Sequence, residues 1–174
     1  NSGTRDSLHG GKNGFNSKLW LPVTFENEQG AGIRFYAVSE DGEENYPGRL
    51  EICVTYTFTE DNRLIINYKA ETDKPTVVNM TNHAYFNLTG YDGDSVMNHE
   101  MFVNSDRYLP TDEDQIPLPC GYIPVKGTEF DYTTLRPVGH PIDHSFALRG
   151  FNGMVKRAAF VCERTEGRSI TVYT

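Results

Sequence analysis

Five histidines hold most of this chain's acid–base potential: His9, His83, His99, His140 and His144. An unperturbed histidine titrates near neutrality, so it is the usual side chain for giving and retaking a proton. Context separates the five. His9 precedes Gly10-Gly11, which lets the backbone take positive φ and a ligand approach closely. The competing reading is an ordinary glycine turn with a bystander histidine. His83 follows the apolar pair Val77-Val78 and precedes Tyr85-Phe86. This predicts a histidine at the end of a strand, beside rings able to stack on a sugar face. Asn82 and Asn87 add amide donors and acceptors. A histidine at an aromatic-lined core edge is the alternative. Asp143-His144 is a third candidate. Adjacent residues on a strand point to opposite faces, so only one of the pair would face a given cleft. A turn aspartate and a surface histidine would look the same in sequence. His99 and His140 sit in loop contexts and read as surface or structural residues.

Other chemistries find less support. No His-x-His or Cys-x₂-Cys spacing suggests a metal site. Gly10-Gly11-Lys12-Asn13-Gly14 lacks the strand before it and the helix after it that a phosphate loop needs. No G-x-S-x-G nucleophile elbow occurs. Cys53, Cys120 and Cys162 are odd in number and irregular in spacing, which predicts three buried or half-buried thiols in a reducing, cytoplasmic compartment. A net charge of −8 with scattered basic residues argues against nucleic-acid or anionic-membrane partners. No apolar run approaches the roughly 20 residues that cross a bilayer. The first residues carry no apolar secretory core.

The elements that must position these residues repeat with a period of two. Leu50, Ile52, Val54, Tyr56 and Phe58 alternate with Glu51, Cys53, Thr55 and Thr57, which predicts a strand with one buried face. Glu60-Asp61-Asn62-Arg63 turns the chain, and alternation resumes from Leu64 to Ala70, giving an antiparallel hairpin. Further strands are predicted over Leu19–Phe25, Ile33–Val38, Thr76–Met80, Glu100–Asn104, Ser145–Leu148, Ala158–Glu163 and Ser169–Tyr173. Turn signals separate them at Glu28-Gln29-Gly30, Tyr46-Pro47-Gly48, Tyr91-Asp92-Gly93-Asp94 and Phe151-Asn152-Gly153. The longest irregular stretch, about 108–142, holds Pro110, Pro117, Pro119, Pro124, Pro137 and Pro141 and is expected to be functional or mobile, as one wall of a cleft. The pattern predicts an all-β sandwich or barrel, with residues 1–174 forming one domain or part of one.

Ordered blocks along essentially the whole chain carry a more specific signal. They are Leu8-His9-Gly10-Gly11 with Gly14-Phe15 and Trp20, Asp41 to Gly48, Val54-Thr55-Tyr56, Asn67-Tyr68-Lys69-Ala70 and Val78 to Leu88. Tyr108-Leu109-Pro110, Gly127 to Asp131, Asp143 to Phe146 and Val172-Tyr173-Thr174 follow. Together they resemble the galactose mutarotase (aldose 1-epimerase) family. The resemblance implies a large antiparallel β-sandwich, the galactose mutarotase-like supersandwich, incomplete in this chain. It also implies interconversion of the α and β anomers of free aldohexoses without a cofactor. His83 would then protonate the ring oxygen as the general acid, His9 would hydrogen-bond the sugar, Tyr85 would line the pocket and Asp143 would accept from sugar hydroxyls. The family's general base, a C-terminal glutamate, and its Asn-Arg binding pair find no match here. The segment between Asp131 and Asp143 is also short for the family. The chain is therefore expected to be a central part of the enzyme, with little activity alone. The alternatives are a non-catalytic sugar-binding module on the same fold and a purely structural β domain. Monomer and homodimer are both open.

Overall fold

The computed structural model describes residues 9–93, 95–150 and 152–174. Leu8 of the first block, Asp94 of one turn and Phe151 of another lie outside the described residues. The contacts of the chain group into two compact units, the first ending at His83 and the second running Ala84–Thr174.

The described residues of the first unit form four strands: β1 (Leu21–Asn27), β2 (Gly30–Ser39), β3 (Leu50–Phe58) and β4 (Leu64–Thr72). They pair antiparallel in chain order, so every neighbour in the sheet is a neighbour in sequence. The alternation in β3 sets its inner face, where Leu50, Ile52 and Val54 are buried, Ile52 to 2% exposure. Phe15, Trp20, Tyr56, Ile66 and Met80 pack against that row. The alternation lapses at the strand's end, where Thr57 is buried and Phe58 is exposed. The hairpin turn closes through Thr59 N–H donating to the Arg63 carbonyl at 3.0 Å. The Arg63 guanidinium, with help from the Thr59 hydroxyl, holds the Asp61 carboxyl down at about 2.

The described residues of the second unit form seven shorter strands. They are β5 (Glu100–Val103), β6 (Ser105–Tyr108), β7 (Ile123–Pro124), β8 (Arg136–Pro137), β9 (Phe146–Leu148), β10 (Arg157–Cys162) and β11 (Ser169–Tyr173). One sheet orders them β11-β10-β5-β8 and another β7-β6-β9, with all pairings antiparallel. The all-β antiparallel expectation therefore holds throughout the described residues.

Four local expectations are corrected. Thr76–Met80 is not a strand. Val77 and Val78 are exposed, and no described strand offers that segment a ladder; an apolar run becomes a strand only where a partner backbone accepts it. Asp143-His144 precedes β9 in irregular backbone, so the opposite-face rule for strands does not govern it. The proline-rich stretch 108–142 contains β7 and β8 and supplies the two most buried large side chains, Val125 and Tyr132, each 1% exposed. Its backbone is tied down by Val125 N–H to the Asp106 carbonyl and by Tyr132 O accepting from Val103 N–H. Cys53, Cys120 and Cys162 are free thiols, but Cys120 is exposed rather than buried. Among the described residues, no helix is long and apolar enough to cross a membrane.

Candidate active site

His9 and His83 come together in the first unit. Their rings meet edge to face, with centroids 5.5 Å apart and planes at 75°. Both side chains are exposed, so their nitrogens can face a ligand. Neither residue lies on a strand. His9 itself takes a left-handed backbone, φ 60, followed by Gly10 at φ 83 and Gly11 at φ 98. Three successive positive-φ residues coil the loop tightly, a conformation that disfavours side chains with a Cβ by about 1 kcal/mol each. Gly14 closes the loop from the other side, since a Cβ there would meet the His9 carbonyl at 2.5 Å.

The loop is held from below by the block 41–48. A 3-10 turn spans Glu43–Asn45, and within it Glu44 (φ 51) and Asn45 (φ 68) are both left-handed. This bend aims the Glu44 carboxylate at the loop, where Oε2 accepts from Lys12 N–H and Oε1 from Asn13 N–H, both at 2.9 Å. A Cβ on Gly11 would collide with that carboxylate. Glu43 pairs with Lys18, which holds its carboxyl below the usual glutamate range. Asp41 pairs with Lys74 and accepts from Gly48 N–H at 2.6 Å; the Lys74 contact lowers its pKa most.

The stretch carrying His83 is fixed locally as well. Asn82 Nδ2 donates to the Tyr56 hydroxyl on β3 at 3.0 Å. In the second unit, Leu88 is buried and held at both polar backbone atoms. Its N–H donates to His99 Nε2 at 3.0 Å, and its carbonyl accepts from Arg168 at 2.8 Å. His99 is 2% exposed and is thus a structural residue. His140 is structural too, with Nε2 within 3.1 Å of both the Tyr132 hydroxyl and the Glu129 carbonyl. His144 is half-buried against Phe130, ring centroids 4.3 Å apart, and against Tyr108 at 5.7 Å.

Of the residues singled out in sequence, the structure brings His9 and His83 together. Tyr85 and Asp143 belong to the second unit, and both are exposed. Glu44 and Arg168 were given no role from sequence, whereas His99, read as a surface or structural residue, is structural. A Gly-Glu-Glu-Asn run flanked by Asp41 and Pro47 was the available signal for Glu44. Nothing in the spacing pointed to the partners of Leu88. Among the described residues, no three His, Cys, Asp or Glu side chains gather as a metal site.

Among the described residues, a unit built on an antiparallel sheet thus carries two juxtaposed, exposed imidazoles, His9 on a glycine-shaped loop, and imidazoles are groups that can hydrogen-bond and exchange protons near neutrality. The aldose 1-epimerase family profile matches residues 1–174, and the chain belongs to that family. It is 42% identical over 178 residues to the galactose mutarotase of Mus musculus, covering 97% of this chain and 50% of that protein. It is 38% identical over 181 residues to the aldose 1-epimerase of Escherichia coli (strain K12), covering 97% of this chain and 51% of that protein. The crystal structure of galactose 1-epimerase from Lactobacillus acidophilus NCFM superposes with a TM-score of 0.79 at 29% identity, over 90% of this chain and 48% of that one. An aldose epimerase homologue from C. elegans gives a TM-score of 0.81 at 25% identity, over 94% and 51% respectively. The chain spans about half the length of the curated relatives it matches.

Proposed function

We propose that the polypeptide bearing this chain is an aldose 1-epimerase that interconverts the α and β anomers of free hexoses such as galactose and glucose. The observation that carries the reading is the edge-to-face pair His9–His83 at 5.5 Å, set in a chain of this family. In this reading His83 is the general acid: it gives a proton to the ring oxygen as the C1–O5 bond breaks and takes it back at closure. His9 hydrogen-bonds the sugar and fixes the ring oxygen near His83. Tyr85 lines the sugar pocket, and Asp143 accepts from sugar hydroxyls. Between opening and closure, rotation about C1–C2 presents the other carbonyl face. No cofactor takes part. Residues 1–174 form the central part of one mutarotase-like domain acting in the cytoplasm.

Polarimetry on freshly dissolved α-D-galactose and α-D-glucose tests the reading with the full-length polypeptide. The expected result is acceleration well beyond buffer, lost by about 10²–10⁴-fold in His83→Gln with the fold intact. Sugar binding without acceleration would instead establish a non-catalytic carbohydrate module. Full activity in His83→Gln would remove His83 from its role.

A further inference from the structure

We infer that Glu44 is a positioning residue for sugar binding, acting through His9; this rests on the function proposed above. The Glu44 side chain is half-buried, and its carboxylate turns to the neighbouring loop. It ends in a two-pronged acceptor for the backbone of the loop three residues beyond His9, one oxygen for Lys12 N–H and one for Asn13 N–H, both at 2.9 Å. A carboxylate accepting from two adjacent N–H groups forms charge-assisted bonds, which are shorter and stronger than neutral ones. Two features built into the backbone support this grip. Glu44 holds a left-handed φ of 51, which an ordinary residue adopts only when its surroundings require it. Gly11 leaves the space that the carboxylate fills, since any Cβ there would overlap it.

The consequence follows from chain geometry. His9 has no strand ladder to fix it, and its backbone is left-handed. The residues after it are tied to the first unit's 3-10 turn through Glu44, so the ring's distance to His83 depends on that tie. The Glu44 carboxylate is engaged by the loop backbone, and its effect on the sugar passes through the loop. It should therefore tune substrate binding more than the proton-transfer step.

The test uses the full-length polypeptide, with α-D-galactose as the probe. Glu44→Ala removes both acceptors and is expected to raise KM roughly tenfold, with kcat changed about twofold or less. Glu44→Gln keeps one acceptor and should fall between. In a His9→Ala background, Glu44→Ala should add nothing further to KM, because the residue it positions is gone. In ¹H–¹⁵N spectra, the Lys12 and Asn13 amides and the His9 imidazole should move in Glu44→Ala, whether or not sugar turns over. An unchanged KM in Glu44→Ala, or equal losses with and without His9, would overturn the inference in an active enzyme. If the unsubstituted polypeptide does not accelerate mutarotation, the proposed function fails, and unmoved loop and His9 resonances would then refute the anchor separately.

Discussion

His9 and His83 face each other edge to face at 5.5 Å, yet chemistry asks different things of them. The proton donor must be lost from kcat when removed, whereas a binding contact present in ground and transition states alike shows in KM. His9→Ala is accordingly expected to raise KM for α-D-galactose about tenfold while leaving most of kcat, in contrast to His83→Gln. Steady-state polarimetry over a range of sugar concentrations separates the two, and equal kcat losses would assign proton transfer to both rings. His9 was legible in sequence through the two glycines behind it, and His83 through its aromatic and amide neighbours. Glu44 was not legible. Its role depends on a hydrogen-bonding reach of |i−j| 31 to 32 along the chain, which no local pattern encodes.

At the level of elements, period-two alternation predicted several strands close to their observed limits, with β3 of the first unit and β11 of the second on the predicted bounds. It failed where pairing, not composition, decides. Thr76–Met80 has strand composition without a partner ladder, and 108–142 has loop composition yet buries Val125 and Tyr132. The inner face of β3 should be the most sensitive place in the first unit. Ile52→Ala, at 2% exposure, is expected to cost about 2–5 kcal/mol, checked by urea unfolding followed through Trp20 fluorescence. A second test concerns the β10–β11 connection. Glu163 is buried and accepts from Thr165 N–H at 2.7 Å and Glu166 N–H at 2.6 Å. The Glu166 N–H, followed by that of Thr165, holds its carboxyl below the ordinary range. A depressed carboxyl in the folded state means that the unfolded chain binds the proton first as pH falls. The stabilisation is therefore complete above the unfolded value of about 4.3 and is lost as pH drops through the lower folded value. Glu163→Gln should lower the thermal midpoint between pH 6 and 8. The gap from the unsubstituted protein should close progressively below about pH 4.3. A gap independent of pH would show that the carboxylate charge is not what holds the turn.

For the molecule as a whole, charge and substrate make a joint prediction. The chain carries a net −8 and the proposed substrates are neutral, so long-range steering has nothing to act on. Raising ionic strength from about 0.05 to 0.5 M, or adding EDTA, is expected to change kcat/KM less than about twofold, as read by polarimetry of the full-length polypeptide. A steep salt dependence or loss with EDTA would point to a charged ligand or a required metal. Sequence by itself determined the β class, the strands whose alternation marks an inner face, and the identity of the histidine candidates, because these depend on side-chain period and on residues a few positions apart. Tertiary structure decided which apolar runs find a ladder, which loop residues enter the core, and that His9 stands beside His83 on a loop tied down by Glu44. Those outcomes depend on backbone partners and close approaches between segments distant in the chain, and a hydrogen bond or a steric contact exists only once the fold has brought its two ends together.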